Sequence, residues 1–250
     1  KKILITDDVN FLKNCKLVYI SHDTPTDVQN ESDFFFVEKL IKKTLEKLNK
    51  KTLVVILCQV YPGFTEKIKW DRDRLFYQVE TLIFGNAMNR AIYPEQVIIG
   101  KTNNHKSNSK KILEKYIRKF SKNIKYMDYK SSELSKISIN LYLSSSITFA
   151  NSLAELCEKS GANWHLIQEV LKKDKRIGSY AYLKPGLGIL SGNLQRDLVT
   201  SQKIFKKFKC NNNYISNIRS LSNKRKDWII NIIKQKKISK NTSIGIFGST

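Results

Sequence analysis

The chain has 250 residues, 41% of them apolar and 10% aromatic, enough to bury a core in one large domain or two small ones. No apolar run reaches the roughly 20 residues that a membrane-spanning helix needs, the longest being LVVILCQVY. Forty-five basic against 22 acidic residues give a formal charge of +23. The lysines recur in KLIKKTLEKLNKK, KKILEKYIRKFSKNIK and KRKDWIINIIKQKK at spacings that suit the solvent face of amphipathic helices. With no aromatic-basic alternation for stacking single-stranded bases, the charge reads as solvated surface, and nucleic acid is not the expected partner.

In chain order, KLVYISHD is an apolar run of strand length, DFFFVEKLIKKTLEKLNKK is helical, TLVVILCQVY is a second buried strand, DRLFYQVETLIFGNAMNRA is mixed, and EQVIIG is a short strand. Strands apolar on both faces and alternating with helices predict an α/β domain with a parallel sheet covered by helices. NNHKSNSKK reads as a polar linker, SKKILEKYIRKFSK as an amphipathic helix and NIKYMDY as a strand. SSELSKISINLYLSSSITFANSLAELCEKSG then runs some thirty residues without proline or glycine before Gly161. The pattern predicts one long helix, N-capped by Ser132 and stopped at Gly161. Its apolar residues wrap much of its circumference, so it is expected to be buried on more than one side and to supply a homodimer contact over 132–160.

NWHLIQEVLKKD predicts a short helix capped by Asn163, and LQRDLVTSQKIFKKFK and ISNIRSLSNKRKDWIINIIKQKK predict two more. TSIGIFGS reads as the first strand of a further α/β domain. The expected division is therefore 1–130 for an α/β domain, 131–240 for an all-helical central domain, and 241–250 for the start of a third. With KKILITDD at one end and TSIGIFGST at the other, both ends are expected to be cuts within a longer protein.

The chemistry-bearing residues are sparse. Cys15, Cys58, Cys157 and Cys210 never form a CxxC pair and His22, His105 and His165 share no ligand spacing, so no metal site is expected. The lack of a disulfide framework favours a reducing cytoplasm. Ligands in parallel sheets sit beyond the carboxyl ends of strands. That makes Thr24 in SHDTPTD a candidate cofactor contact, against the reading of an ordinary turn, and Gln59 in CQVYPGFT an amide for the same cofactor. Glu80 lies in an otherwise apolar stretch, either capping the next helix or facing a pocket. Glu133, Lys136 and Asn140 are spaced i, i+3, i+7 and share one stripe of the long helix. Such a Glu-Lys pair is ordinarily surface. Apolar neighbours here also allow Lys136 and Asn140 to point into a cleft, where a lysine can hold an oxyanion.

Together these segments resemble the UDP-glucose/GDP-mannose dehydrogenases. The resemblance runs in order through ILITDDVNFLKNCKLVYISHDTPTD, VVILCQVYPGFTEKI, VETLIFGNAMNRAIYPEQVIIG, SELSKISINLYLSSSITFANSLAELCEKSGA, RIGSYAYLKPGLGILSGNLQRD and SIGIFGST. It implies a Rossmann-like NAD domain, a helical dimerisation domain and a nucleotide-sugar domain. The implied reaction oxidises the C6 hydroxyl of a nucleotide sugar to a carboxylate with two NAD, through a covalent adduct on a cysteine, for polysaccharide biosynthesis. By this resemblance Thr24 and Gln59 line the NAD site, Glu80 is tied to thioester hydrolysis, Lys136 to oxyanion stabilisation with Asn140 beside it, and Asp197 to proton handling. Arg176 approaches the nucleotide sugar near a dimer interface, and the backbone of YLKPGLG, from Leu183 to Gly188, wraps the sugar.

Three departures stand out. The family's loop, of the form G-L-G-F-G-G-H-C-L-P-R-D, laid on GLGILSGNLQRD puts Asn193 where the cysteine belongs, with Leu190, Ser191 and Gln195 replacing two glycines and a proline. Asn193 has no thiolate to form the adduct. A family threonine falls on Gln59 and a second family glutamate on Phe84. The GxGxxG turn that cradles the NAD pyrophosphate is expected ahead of Lys1. Two readings follow: a nucleotide-sugar dehydrogenase homologue changed at its nucleophile, or a non-catalytic dimerisation or regulatory homologue.

Overall fold

The structure, a computed structural model, describes residues 3–83, 85–102, 108–236, 242–245 and 247. It is a mixed α/β chain that divides into two compact units, one made of 1–140 and 199–204, the other of 141–198 and 205–250. The first unit holds a five-stranded sheet in sequential order: β1 (Leu17–Ile20), β2 (Leu53–Ile56), β3 (Leu75–Gln78), β4 (Val97–Gly100) and β5 (Ile124–Met127).

The strands are short and nearly continuous in apolar residues because both faces of the sheet are covered. On β2, Val54 and Ile56 join Val37, Ile41 and Leu45 of α1 (Phe34–Lys47) in one cluster. Leu53 and Val55 face the other way, with Leu113 and Ile117 of α3 (Asn108–Ile117). The buried residues of α1 recur every fourth position and Lys39, Lys42, Lys43 and Lys47 are exposed, so this part of the basic charge does cover a solvent face. Asp33 caps α1 by accepting the N–H of Phe36 at 2.9 Å.

The expected all-parallel sheet needs one correction. β1, β2 and β3 are mutually parallel and β4 is parallel to β5, but β3 and β4 run antiparallel. The connection from β3 to β4 carries α2 (Ala87–Ile92), which buries none of its residues. The mixed stretch of the sequence thus resolves into β3 and α2.

The long helix is present as α4 (Tyr129–Ser160), but it starts earlier than Ser132. Asp128 occupies the cap, its carboxylate accepting the N–H of Ser131 at 2.8 Å and the Ser131 hydroxyl at 2.7 Å. Those hydrogen bonds hold the Asp128 carboxyl below the usual range. Ser132 lies inside the helix, donating to the carbonyl of Tyr129 at 2.8 Å. It packs against the end of β4 at Gly100, where an added Cβ would sit 2.0 Å from the Ser132 Oγ. Tyr129 ties the helix start to the sheet through a 2.8 Å hydrogen bond to the carbonyl of Leu75. At the other end Gly161, with φ +78°, donates back to Cys157 and stops the helix.

The second unit is helical. Besides the later part of α4 it contains α5 (Trp164–Lys173), capped by Asn163, most of α6 (Gly192–Lys207), α7 (Asn213–Lys226) and α8 (Trp228–Gln235). Ala150, Ala154, Cys157, Trp164 and Leu183 form one cluster, and Ile189, Leu198, Ile215 and Ile218 another. Of the segment expected to open a third domain, residues 242–245 and 247 carry no assigned strand, and the rest lies outside the described residues.

Leu75 sits in the middle strand with no exposed surface. Leu75→Ala is expected to lower stability by about 2–5 kcal/mol through lost burial and the cavity left behind. Urea unfolding checks this, with exposed Lys43→Ala as a control that changes stability by less than about 0.5 kcal/mol.

Candidate functional site

Two loops follow the carboxyl ends of the parallel strands β1 and β2, and a single contact latches them. Thr24, 2% exposed, donates its hydroxyl to the carbonyl of Gln59 at 2.6 Å, while its own N–H donates to the Asp23 carboxylate at 2.9 Å. The two residues expected to line a cofactor are thus joined, one holding the backbone of the other. Beside them Cys58 donates its thiol to the carbonyl of Ile20. Burial pushes that thiol up to about 11, so it stays a thiol at neutral pH and offers no thiolate in place of the missing one.

The loop after β3 supplies Glu80. Its carboxylate lies 3.7 Å from the ammonium of Lys136 and also accepts the N–H of Leu82. Its partner is therefore the lysine of α4, while α2 starts from Asn86. Lys136 and the buried Asn140 lie one turn apart on α4. Phe84 and His105 lie outside the described residues.

Of the two readings of the Glu133–Lys136 spacing, the surface ion pair is not the one formed, since Lys136 pairs with Glu80. Glu133 has no exposed surface, and its two carboxylate oxygens accept the N–H groups of Gly63 and Thr65, the latter at 2.7 Å. Burial pushes its pKa up from 4.5. One turn earlier Lys130 pairs with Glu66 at 3.0 Å. Sequence reasoning placed Glu133 on the stripe of Lys136 and Asn140 but gave it no role. The available signal was its place four residues before Ile137 on an inward stripe.

In the second unit, Asn193 is exposed in the first turn of α6, and Asp197, 1% exposed, lies 3.6 Å from the buried Arg196. The glycine loop ahead of them is clamped at several points. Gly186 donates its N–H to Asn151 at 2.7 Å and accepts from Arg225 at 3.1 Å. Gly188, at φ +91°, has no room for a Cβ, which would meet the Ser222 carbonyl at 2.5 Å, and Ile189 donates to the Ser222 hydroxyl at 2.8 Å. Gln195, standing at the family's proline, donates to the carbonyl of Ile189 at 2.6 Å. Asn151, Ser222 and Arg225 were not anticipated. Ile215, Ile218, Ser222 and Arg225 are all buried at helical spacing, which marks Arg225 as inward-facing.

Leu183 is a core residue, its carbonyl accepting from Trp164 at 3.1 Å. With Tyr182, Lys184, Gly186 and Gly188 it borders a cavity of 480 Å³. Arg176 is solvent-exposed and paired with Asp174 at 2.6 Å. Among the described residues no cluster of three or more His, Cys, Asp or Glu side chains could hold a metal ion, and no helix is long and apolar enough to cross a membrane.

The chain matches two family models: the NAD binding domain of the UDP-glucose/GDP-mannose dehydrogenase family over residues 1–120, and that family's central domain over residues 130–224. It is 32% identical over 213 residues to UDP-glucose 6-dehydrogenase of Rickettsia bellii, covering 82% of this chain and 47% of the relative. It is 29% identical over 233 residues to UDP-glucose 6-dehydrogenase of Campylobacter jejuni, covering 90% and 58%. The chain thus spans about half the length of these curated relatives. A UDP-glucose dehydrogenase from Pyrobaculum islandicum superposes with a TM-score of 0.82 at 19% identity, covering 93% of this chain and 56% of that one. A UDP-D-ManNAc dehydrogenase from Pyrococcus horikoshii gives 0.78 at 21% identity, covering 93% and 57%. These two likenesses establish the fold, including the Rossmann-like character of the sheet domain.

The raised pKa of Glu133 sets a pH dependence. The fold keeps its proton where the unfolded chain has already released it, so this group's contribution to stability falls as pH rises from 4.5 through the raised value. Urea unfolding across that range is expected to show wild type losing stability relative to Glu133→Gln as pH rises. A difference independent of pH contradicts this assignment.

Proposed function

Because the chain belongs to the UDP-glucose/GDP-mannose dehydrogenase family, we propose that it acts as an NAD-dependent oxidoreductase on the C6 hydroxyl of a nucleotide sugar, such as UDP-glucose or GDP-mannose. The observation that carries this reading is the retained Lys136–Glu80 pair on the inward stripe of α4, in the same compact unit as the Thr24–Gln59 latch. The arrangement suits NAD: the half-buried Gln59 carries a side-chain amide on a loop that the buried Thr24 holds in place, at the carboxyl ends of parallel strands, where dinucleotides bind. When bound, NAD supplies the hydride acceptor. In this reading Lys136 stabilises the oxygen that becomes an alkoxide and Asn140 orients it, while the hydroxyl proton passes to solvent.

Loss of that proton and of one hydride converts the alcohol to an aldehyde, a two-electron oxidation. The second oxidation, through a thiohemiacetal, needs a thiolate at the position of Asn193, whose carboxamide is no nucleophile. Cys58 is buried with its pKa raised. The reaction on this chain therefore ends at the aldehyde, or at its hydrate. Uronates for polysaccharide synthesis would require the restored thiol, in the cytoplasm where thiols stay reduced.

The test is NADH formation by the full protein with UDP-glucose and GDP-mannose. The expected outcome is at most one NADH per sugar for wild type, two for Asn193→Cys, and a loss of about 10²–10³ in kcat for Lys136→Ala. Two NADH per sugar from wild type, or indifference to Lys136→Ala, overturns the reading.

A second reading, a non-catalytic dimerisation homologue, is favoured by the exposed Asn193 together with an apolar stripe on α4. Tyr142, Phe149 and Leu156 recur every seven residues and are 65%, 47% and 58% exposed, a seam suited to a second copy of the chain. Both readings assign a homodimer to this face. Sedimentation is expected to give a dimer for wild type and a monomer for Phe149→Lys with Leu156→Lys; a wild-type monomer removes that assignment.

A further inference from the structure

α4 meets the loops of the sheet through three side chains set three residues apart: Lys130 on Glu66, Glu133 on the backbone of Gly63 and Thr65, and Lys136 on Glu80. The middle contact is of a different kind. Among the described residues no cation lies within ion-pair distance of Glu133, and both of its oxygens are taken by backbone N–H groups. An ionised carboxylate without exposed surface is costly, and an apolar side chain would fill the same space more cheaply.

What the carboxylate supplies, and an apolar group cannot, is directional acceptance of two N–H groups flanking the Pro62-Gly63 turn. Gly63 takes φ +87° there. The turn is shaped on its other sides as well: Phe64 donates to the carbonyl of Tyr61 at 3.1 Å, and Tyr61 stacks edge-on against Phe34 and Phe64 at 4.9 and 5.4 Å. Only three residues separate Gln59 from Gly63 in the chain. Gln59 is in turn latched by Thr24. A shift of the turn is therefore passed to both loops at the carboxyl ends of β1 and β2.

We propose that Glu133 is a positioning residue of the cofactor edge: its carboxylate holds the loop that carries Gln59 in fixed register with Lys136 and Asn140, the next two polar positions on the same face of α4. The inference rests on the reading that this edge binds NAD. It assigns to Glu133 no contact with substrate or cofactor.

The experiment pairs NADH titration, followed by fluorescence, with amide hydrogen exchange on wild type, Glu133→Gln and Glu133→Ala. Gln keeps one acceptor oxygen and the shape; Ala keeps neither. Protection at Gly63 and Thr65 is expected to fall in the order wild type, Gln, Ala, while Val54 and Val55 in β2 stay protected. NADH affinity is expected to fall in the same order, by about tenfold for Gln, the size of one buried donor left unpaired. Loss of protection at the two amides with an NADH affinity unchanged from wild type reduces Glu133 to a structural residue and overturns the proposal while the cofactor reading stands. Unchanged protection in the Ala variant overturns it directly. A wild type that binds no NADH removes the cofactor reading and the proposal with it.

Discussion

The hydrogen bonds from Gly63 and Thr65 to the buried Glu133 are the constraint on which the geometry of the first unit turns. A sheet whose loops face one edge leaves those loops free to adopt many conformations, each carrying backbone donors that must be satisfied. Here α4 starts under the sheet, anchored by Tyr129 to Leu75 and capped by Asp128. It then presents Lys130 and Glu133 to the loop after β2 and Lys136 to the loop after β3. Helical periodicity converts a three-residue spacing into one stripe, so three loop contacts are set by the pitch of a single element. The desolvation cost of Glu133, visible in its raised pKa, is offset by two backbone hydrogen bonds to a charged acceptor, each stronger than a neutral one.

The sequence made the outline of this arrangement legible because apolar periodicity reports burial, and burial follows the layers. The strands KLVYI and TLVVI, the helix over Phe34–Lys47 and the long helix ending at Gly161 all rest on patterns of period two or about 3.6 or on a positive-φ stop. The antiparallel pairing of β3 and β4 was not legible, since a short apolar run records burial and not the direction in which it pairs. The start of α4 was misplaced by four residues because Asp128 and Ser132 are both sound cap residues. The choice between them is made by Gly100, whose missing Cβ lets Ser132 pack inside the helix.

The site was legible through resemblance more than through residue chemistry. Lys136 and Glu80 are remote in sequence, and nothing in their local patterns pairs them; family order named both, and the structure adds the 3.7 Å contact. Glu133 is the opposite case. Its spacing from Lys136 placed it on the right stripe without naming its partners, which are backbone groups seventy and sixty-eight positions away. Backbone partners leave no side-chain signature in a sequence.

The loop that precedes Asn193 is closely supported. Here Gly186 is held on both its N–H and its carbonyl, Gly188 still occupies a left-handed position closed to a side chain, and Gln195 contributes a hydrogen bond to Ile189 that the family's proline, lacking an amide side chain, has no group to make. The loop is thus supported residue by residue while its nucleophile position is polar, exposed and unreactive. None of these supports runs through the side chain of Asn193, so the shape of the loop and the chemistry of that position are separate properties of the sequence: buried partners on α4 and α7 fix the first, and a single exposed side chain decides the second.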